Sequence, residues 1–72
     1  MFVLLKRAHA LADRSLADFE GSLSKYSTED DLKILRIGYM ISRRRRENAK
    51  CELLKTKIDQ LSKEIKDGQR SN

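Results

Sequence analysis

The residues best equipped to do chemistry in this chain are cationic. Arg43-Arg44-Arg45-Arg46 is an unbroken run, and with Lys33 and Arg36 it places six positive charges in sequence before any acid intervenes. Guanidinium and ammonium groups at that density can neutralise phosphates or meet an acidic protein face. Four successive helical residues span about 300° around the axis, so the run cannot converge on one ligand. Two or three of its members could grip a phosphate backbone or acidic side chains, leaving the rest as a solvated collar. The formal net charge of +5 is unevenly placed: residues 1–31 carry −2, residues 32–72 carry +7, and residues 47–72 are nearly balanced. The basic character belongs to one short stretch.

Other reactive side chains are sparse. A single cysteine, Cys51, excludes an internal disulfide and a Cys-based zinc site, and it fits a reducing, cytoplasmic compartment. No histidine lies near it in sequence to generate a thiolate, so Cys51 reads as a small buried residue. His9 sits beside the apolar positions Leu5, Ala8 and Ala12 and reads as a surface or boundary residue. Glu29-Asp30-Asp31 lacks the calcium-loop pattern, and helix capping accounts for it. With no glycine-rich phosphate loop and no paired cysteines, the expectation is a non-enzyme without cofactor or metal ligands.

The elements that must carry these residues are helices. Of 72 residues, 38% are charged, 39% hydrophobic and 6% aromatic, with no proline and three glycines. A β-sandwich or barrel needs more turn formers than that. The expectation is an all-α, single-domain helical hairpin over residues 1–72. So short a chain buries only about 60% of its unfolded surface, which favours self-association or docking on a partner.

Leu5, Ala8, Ala12, Leu16, Phe19, Leu23 and Tyr26 recur at spacings of three and four, which predicts one helix over about 2–24. Ser15 with Asp18 has the form of a capping pair and permits a restart there, but the unbroken stripe favours a single helix. A turn over about 25–28 follows. Ser27 or Thr28 then caps a second helix whose first turn holds three acids, matched to the positive end of the helix dipole. No stop signal appears until Gly68, a natural left-handed cap, so the second helix is expected to run over about 28–67 with a tail at 68–72. That helix would be about 60 Å long.

Its heptad seam reads Ile37, Met40, Arg44, Glu47, Cys51, Leu54, Ile58, Leu61, Ile65, which gives it coiled-coil character. The first helix would reach only from about Met40 to Leu54, leaving the last apolar positions uncovered, and such stripes mark interfaces. The expected partner interface is therefore Leu16, Phe19, Leu23, Ile37, Met40, Cys51, Leu54, Ile58, Leu61 and Ile65. Gly38 either lets the first helix approach closely or is simply tolerated.

The string Arg43 to Cys51 followed by Leu heptads resembles the basic-leucine-zipper layout. It departs from that pattern at Thr56, where the family carries a basic residue, at Glu52 on the basic face, and in having only about two zipper heptads. In size and layout the chain is also similar to the small helical co-chaperones of bacterial secretion needles, although no motif carries that likeness. The functional expectation is a protein–protein interaction module (adaptor, co-chaperone or regulatory subunit) that binds a partner helix or a second copy of itself. The alternative is a nucleic-acid-binding or nucleoid-associated hairpin using Lys33, Arg36, Arg43, Arg44, Arg45 and Arg46, disfavoured because Arg44 falls on the seam and acid returns at Glu47. The longest early apolar run, Phe2-Val3-Leu4-Leu5, is far short of the roughly 20 residues a membrane span needs. Asp13 and Asp18 argue against a mitochondrial presequence despite Lys6, Arg7 and Arg14.

Overall fold

The computed structural model describes residues 2–70. Four α-helices follow one another: α1 Phe2–Ala12, α2 Leu16–Ser22, α3 Glu29–Arg44 and α4 Asn48–Arg70, with a 3₁₀ turn Leu23–Lys25 after α2. The described residues are all-helical, as composition required, but there are four helices where two were expected.

The first expected helix breaks at residues 13–15. The Asp13 N–H still donates to the His9 carbonyl at 3.0 Å, and Arg14 closes the turn on Leu11 at 3.2 Å. Ser15 then turns extended, and its hydroxyl accepts from the Asp18 N–H at 3.4 Å. The Ser15/Asp18 pair is thus a working restart. The break also changes which residues face inward: Ala8, Leu11 and Ala12 are buried in α1, while Leu5 and Leu16 are exposed.

α3 begins with a complete capping box. The Thr28 hydroxyl accepts from the Asp31 N–H at 3.1 Å, and the Asp31 carboxylate accepts from the Thr28 and Ser27 N–H groups at 3.0 and 2.8 Å. Thr28, not Ser27, is the cap.

The expected long second helix is also cut, within the arginine run. The Arg46 N–H donates to the Arg43 carbonyl at 3.1 Å and the Glu47 N–H to the Ser42 carbonyl at 2.9 Å, with Arg46 at φ 59°. This pair of bonds is a Schellman stop, built on arginine where glycine is usual. A left-handed non-glycine residue costs about 1–2 kcal/mol. Reversal offsets that cost by letting α4 bury its apolar stripe against α3. At the other end there is no stop at Gly68: α4 runs on to Arg70, and only residues 71–72 of the expected tail lie outside the described residues.

The longest extent is therefore 39 Å. α4 folds back along α3, bringing Ser62 and Ile65 beside Leu32. α1 packs against α3, and α2 touches α4. The core is Ala8, Leu11, Phe19, Leu23, Ile34, Leu35, Leu54 and Leu61. Leu54 and Leu61 are fully buried within the chain, and Ile58 and Ile65 pack half-buried around them. The stripe expected to lie bare is covered, because α3 supplies the length that the first helix could not. The expected seam through Ile37, Met40, Arg44 and Glu47 is overturned as well. Once the helix is cut, α3 chooses its own inward face, which is Ile34, Leu35, Gly38 and Ser42. Gly38 sits where α1 and α4 both approach, and a methyl there would meet Leu11 and Leu54 side chains at 3.6 and 3.9 Å, ordinary contact distances.

Candidate functional site

With one side of α3 occupied by α1 and α4, its other side is left to solvent. At 100° per residue, Lys33, Arg36, Ile37, Met40, Arg43 and Arg44 fall within an arc of about 120°, opposite the buried positions. All four cations are exposed, Met40 is 57% exposed and Ile37 is half-buried. Leu4 of α1 joins Ile37, Lys33 and Arg36 around an open groove of about 510 Å³. On the other flank α4 contributes Lys66 to a second groove beside Lys33 and Arg36. The site is a strip of cations about 16 Å long with apolar side chains set into it, and no acid lies between Lys33 and Arg44.

The strip's charges are weakly engaged. Lys33 lies 4.0 Å from Asp30 with both side chains mostly in solvent, a pair of small energetic consequence. Arg36, Arg43 and Arg44 make no ion pair among the described residues.

The structure divides the arginine run. Arg43 and Arg44 share the outer face. Arg45 turns away to donate to the Asp13 carboxylate at 2.7 Å, tying the end of α1 to the α3–α4 turn. Arg46 stands exposed at the left-handed position of the turn. The acid counted against a nucleic-acid surface, Glu47, is held by Lys50 at 2.7 Å, and Arg44 is exposed rather than packed in a seam.

Of the expected interface residues, Phe19, Leu23, Leu54 and Leu61 are core, and Ile37, Cys51, Ile58 and Ile65 are half-buried. Only Leu16 and Met40 are freely accessible, and they stand on different helices. Sequence reasoning missed Leu4 and Lys66, which reach the strip only through tertiary packing. It also missed Lys50, which looks like any helix-surface lysine until α1 is placed beside it. The face shared by Lys33, Arg36, Met40 and Arg44 was visible as a three-four spacing, but the longer heptad seam assigned Met40 and Arg44 to the interior.

Among the described residues, no three His, Cys, Asp or Glu side chains stand close enough together to hold a metal ion. Cys51 is a free, half-buried thiol and His9 is exposed. No helix among the described residues is long and apolar enough to cross a membrane. No known protein family, curated protein or solved structure matches this chain.

Proposed function

We propose that this chain is a small non-enzymatic binding module, an adaptor or regulatory subunit acting in the cytoplasm, whose α3 outer face docks an acidic amphipathic segment of a partner protein. The observation that carries this reading is the setting of Met40, Ile37 and Leu4 among four exposed cations. Apolar anchors supply affinity through burial, and surrounding charges supply steering and register more than strength. A helix with acids flanking a short apolar stripe is the complementary shape and charge. Self-association through Leu54–Ile65 is no part of the proposal, since a second copy would have to displace α3.

The test is titration of a synthetic Leu- and Glu-rich amphipathic helix into the protein at about 0.15 M salt, where exposed charges are screened beyond ~8 Å. Reversing Arg36→Glu and Arg43→Glu is expected to weaken binding at least tenfold, and Met40→Gln to weaken it severalfold. Equal binding by all three proteins removes the reading.

One observation favours a second reading, nucleic-acid binding: the same four cations run about 16 Å without an intervening acid. Contacts to four phosphates give a log–log salt slope near −3.6 for duplex DNA. Micromolar binding of nucleic acid at physiological salt that ignores Met40→Gln would put this reading first.

A further inference from the structure

On the side of the molecule formed by α1, the 3₁₀ turn and the start of α3, a cleft of about 280 Å³ uses none of the residues of the α3 outer face. Three cations from separate segments rim it: Arg7 of α1, Arg14 of the α1–α2 break and Lys25 of the 3₁₀ turn. None of the three forms an ion pair among the described residues. The one acid on the rim, Asp31, accepts from the Ser27 and Thr28 N–H groups, and its remaining charge faces Arg7 without forming an ion pair with it. Leu11 and Ile34, each only 1% exposed, floor the cleft, and Ala10, Ser22 and Tyr26 complete its lining.

Three cations outnumbering one acid around a concavity with an apolar lining define a narrow ligand chemistry. Guanidinium forks match phosphate oxygens bidentately, and a lysine adds a point charge. The apolar lining wants a compact hydrophobic body, and the volume admits one ring with its charged group rather than a polymer. Tyr26 would present a hydroxyl donor at neutral pH: burial raises its pKa and Asp31 adds to the rise, against the lowering effect of Arg14 and Arg7.

We propose that this cleft binds a small aryl phosphomonoester, its phosphate held by Arg7, Arg14 and Lys25 and its ring laid between Ala10 and Tyr26 over the floor of the cleft. The break between α1 and α2 then gains a purpose, because an uninterrupted helix would hold Arg14 in fixed register with Arg7 instead of on a separate wall.

Phenyl phosphate is the probe, titrated at about 0.15 M salt and followed by amide chemical shifts and calorimetry, with inorganic phosphate and phenol alongside. Shifts are expected to concentrate at residues 7–14 and 25–31, with both fragments weaker than phenyl phosphate by tenfold or more. Arg7→Gln with Arg14→Gln should weaken binding at least tenfold. Arg36→Gln with Arg43→Gln, an equal change of charge elsewhere, should leave it within twofold. Ala10→Phe fills the cleft from an exposed helical position while keeping every charge, and it too should weaken binding at least tenfold, with its far-ultraviolet spectrum unchanged. Equal weakening by the two arginine pairs, or wild-type binding by Ala10→Phe, overturns the proposal. A phosphotyrosine peptide that binds more than tenfold tighter than phenyl phosphate overturns the small-molecule assignment.

Discussion

The Lys50 ammonium donates to the Ala12 carbonyl oxygen at 2.8 Å, joining residues 38 apart in sequence. The same ammonium lies 2.7 Å from the Glu47 carboxylate and 5.8 Å from the centroid of the Phe19 ring. The last carbonyls of a helix lack intrahelical partners and carry the negative end of its dipole, so a cation there is doubly favoured. One lysine, 8% exposed, therefore caps α1, covers the core ring of α2 and braces the turn between α3 and α4.

Lys50→Met keeps the apolar stem but leaves the Ala12 carbonyl and the Glu47 carboxylate without that partner. Loss of a charge-assisted bond to a buried group costs about 2 kcal/mol, with the Glu47 share reduced because that side chain remains partly in solvent. Urea denaturation should show the loss. A variant as stable as wild type would mean that water replaces the ammonium at no cost.

Arg46→Gly acts in the opposite direction. Arg46 occupies the left-handed position of the Schellman stop at φ 59°, where an L side chain is strained and glycine is not. Stability should rise by about 1 kcal/mol, the strain relieved less the added freedom of glycine in the unfolded chain. No gain in urea midpoint would indicate that the Arg46 side chain contributes as much as its backbone costs.

Ser42 is fully buried, and its hydroxyl has no hydrogen-bond partner among the described residues. A buried hydroxyl without a partner keeps its desolvation cost, on the order of 1–3 kcal/mol. Ser42→Ala removes the hydroxyl while leaving the carbonyl that accepts from Glu47, so stability should hold or rise by about 1 kcal/mol. A clear drop in thermal midpoint would reveal a partner for the hydroxyl.

How much of this was legible in the sequence follows from the range of each interaction. Thr28 and Asp31 are three residues apart, and their capping box could be anticipated from residue types alone. Ser15 and Asp18 offered the same signal, but the Leu5–Tyr26 stripe outweighed it because periodicity counts residues without asking which are buried. The stop at Arg46 carried no signal, since the residue that normally marks such a stop is glycine. Missing it displaced everything downstream: it made one 60 Å helix of two shorter ones and sent Met40 and Arg44 inward on paper. The pairings Lys50–Ala12 and Arg45–Asp13 exist only once both helix breaks are in place, so local pattern could not reveal them. For the α3 strip, the basic residues were identified but not their shared face.

Asp31 ties the start of α3 to pH. Burial pushes its carboxyl pKa up, but the Ser27 and Thr28 N–H groups, the Thr28 hydroxyl and the Arg7 charge together outweigh burial and hold it below the ordinary value of 3.8. The unfolded chain then takes up the proton at a higher pH than the native one, so protonation favours unfolding. The stabilisation is fully present above the ordinary carboxylate value and is lost as pH falls through the lower native value. Asp31→Asn keeps a side-chain acceptor but cannot ionise, so it should be less stable than wild type at pH 7 by about 1 kcal/mol, the scale of a capping interaction. Urea titrations repeated from pH 7 down through the acid range should show that difference shrinking below the ordinary carboxylate value. A difference that stays constant across that range would mean that the shape of the Asp31 side chain, rather than its charge, holds the Thr28 cap together.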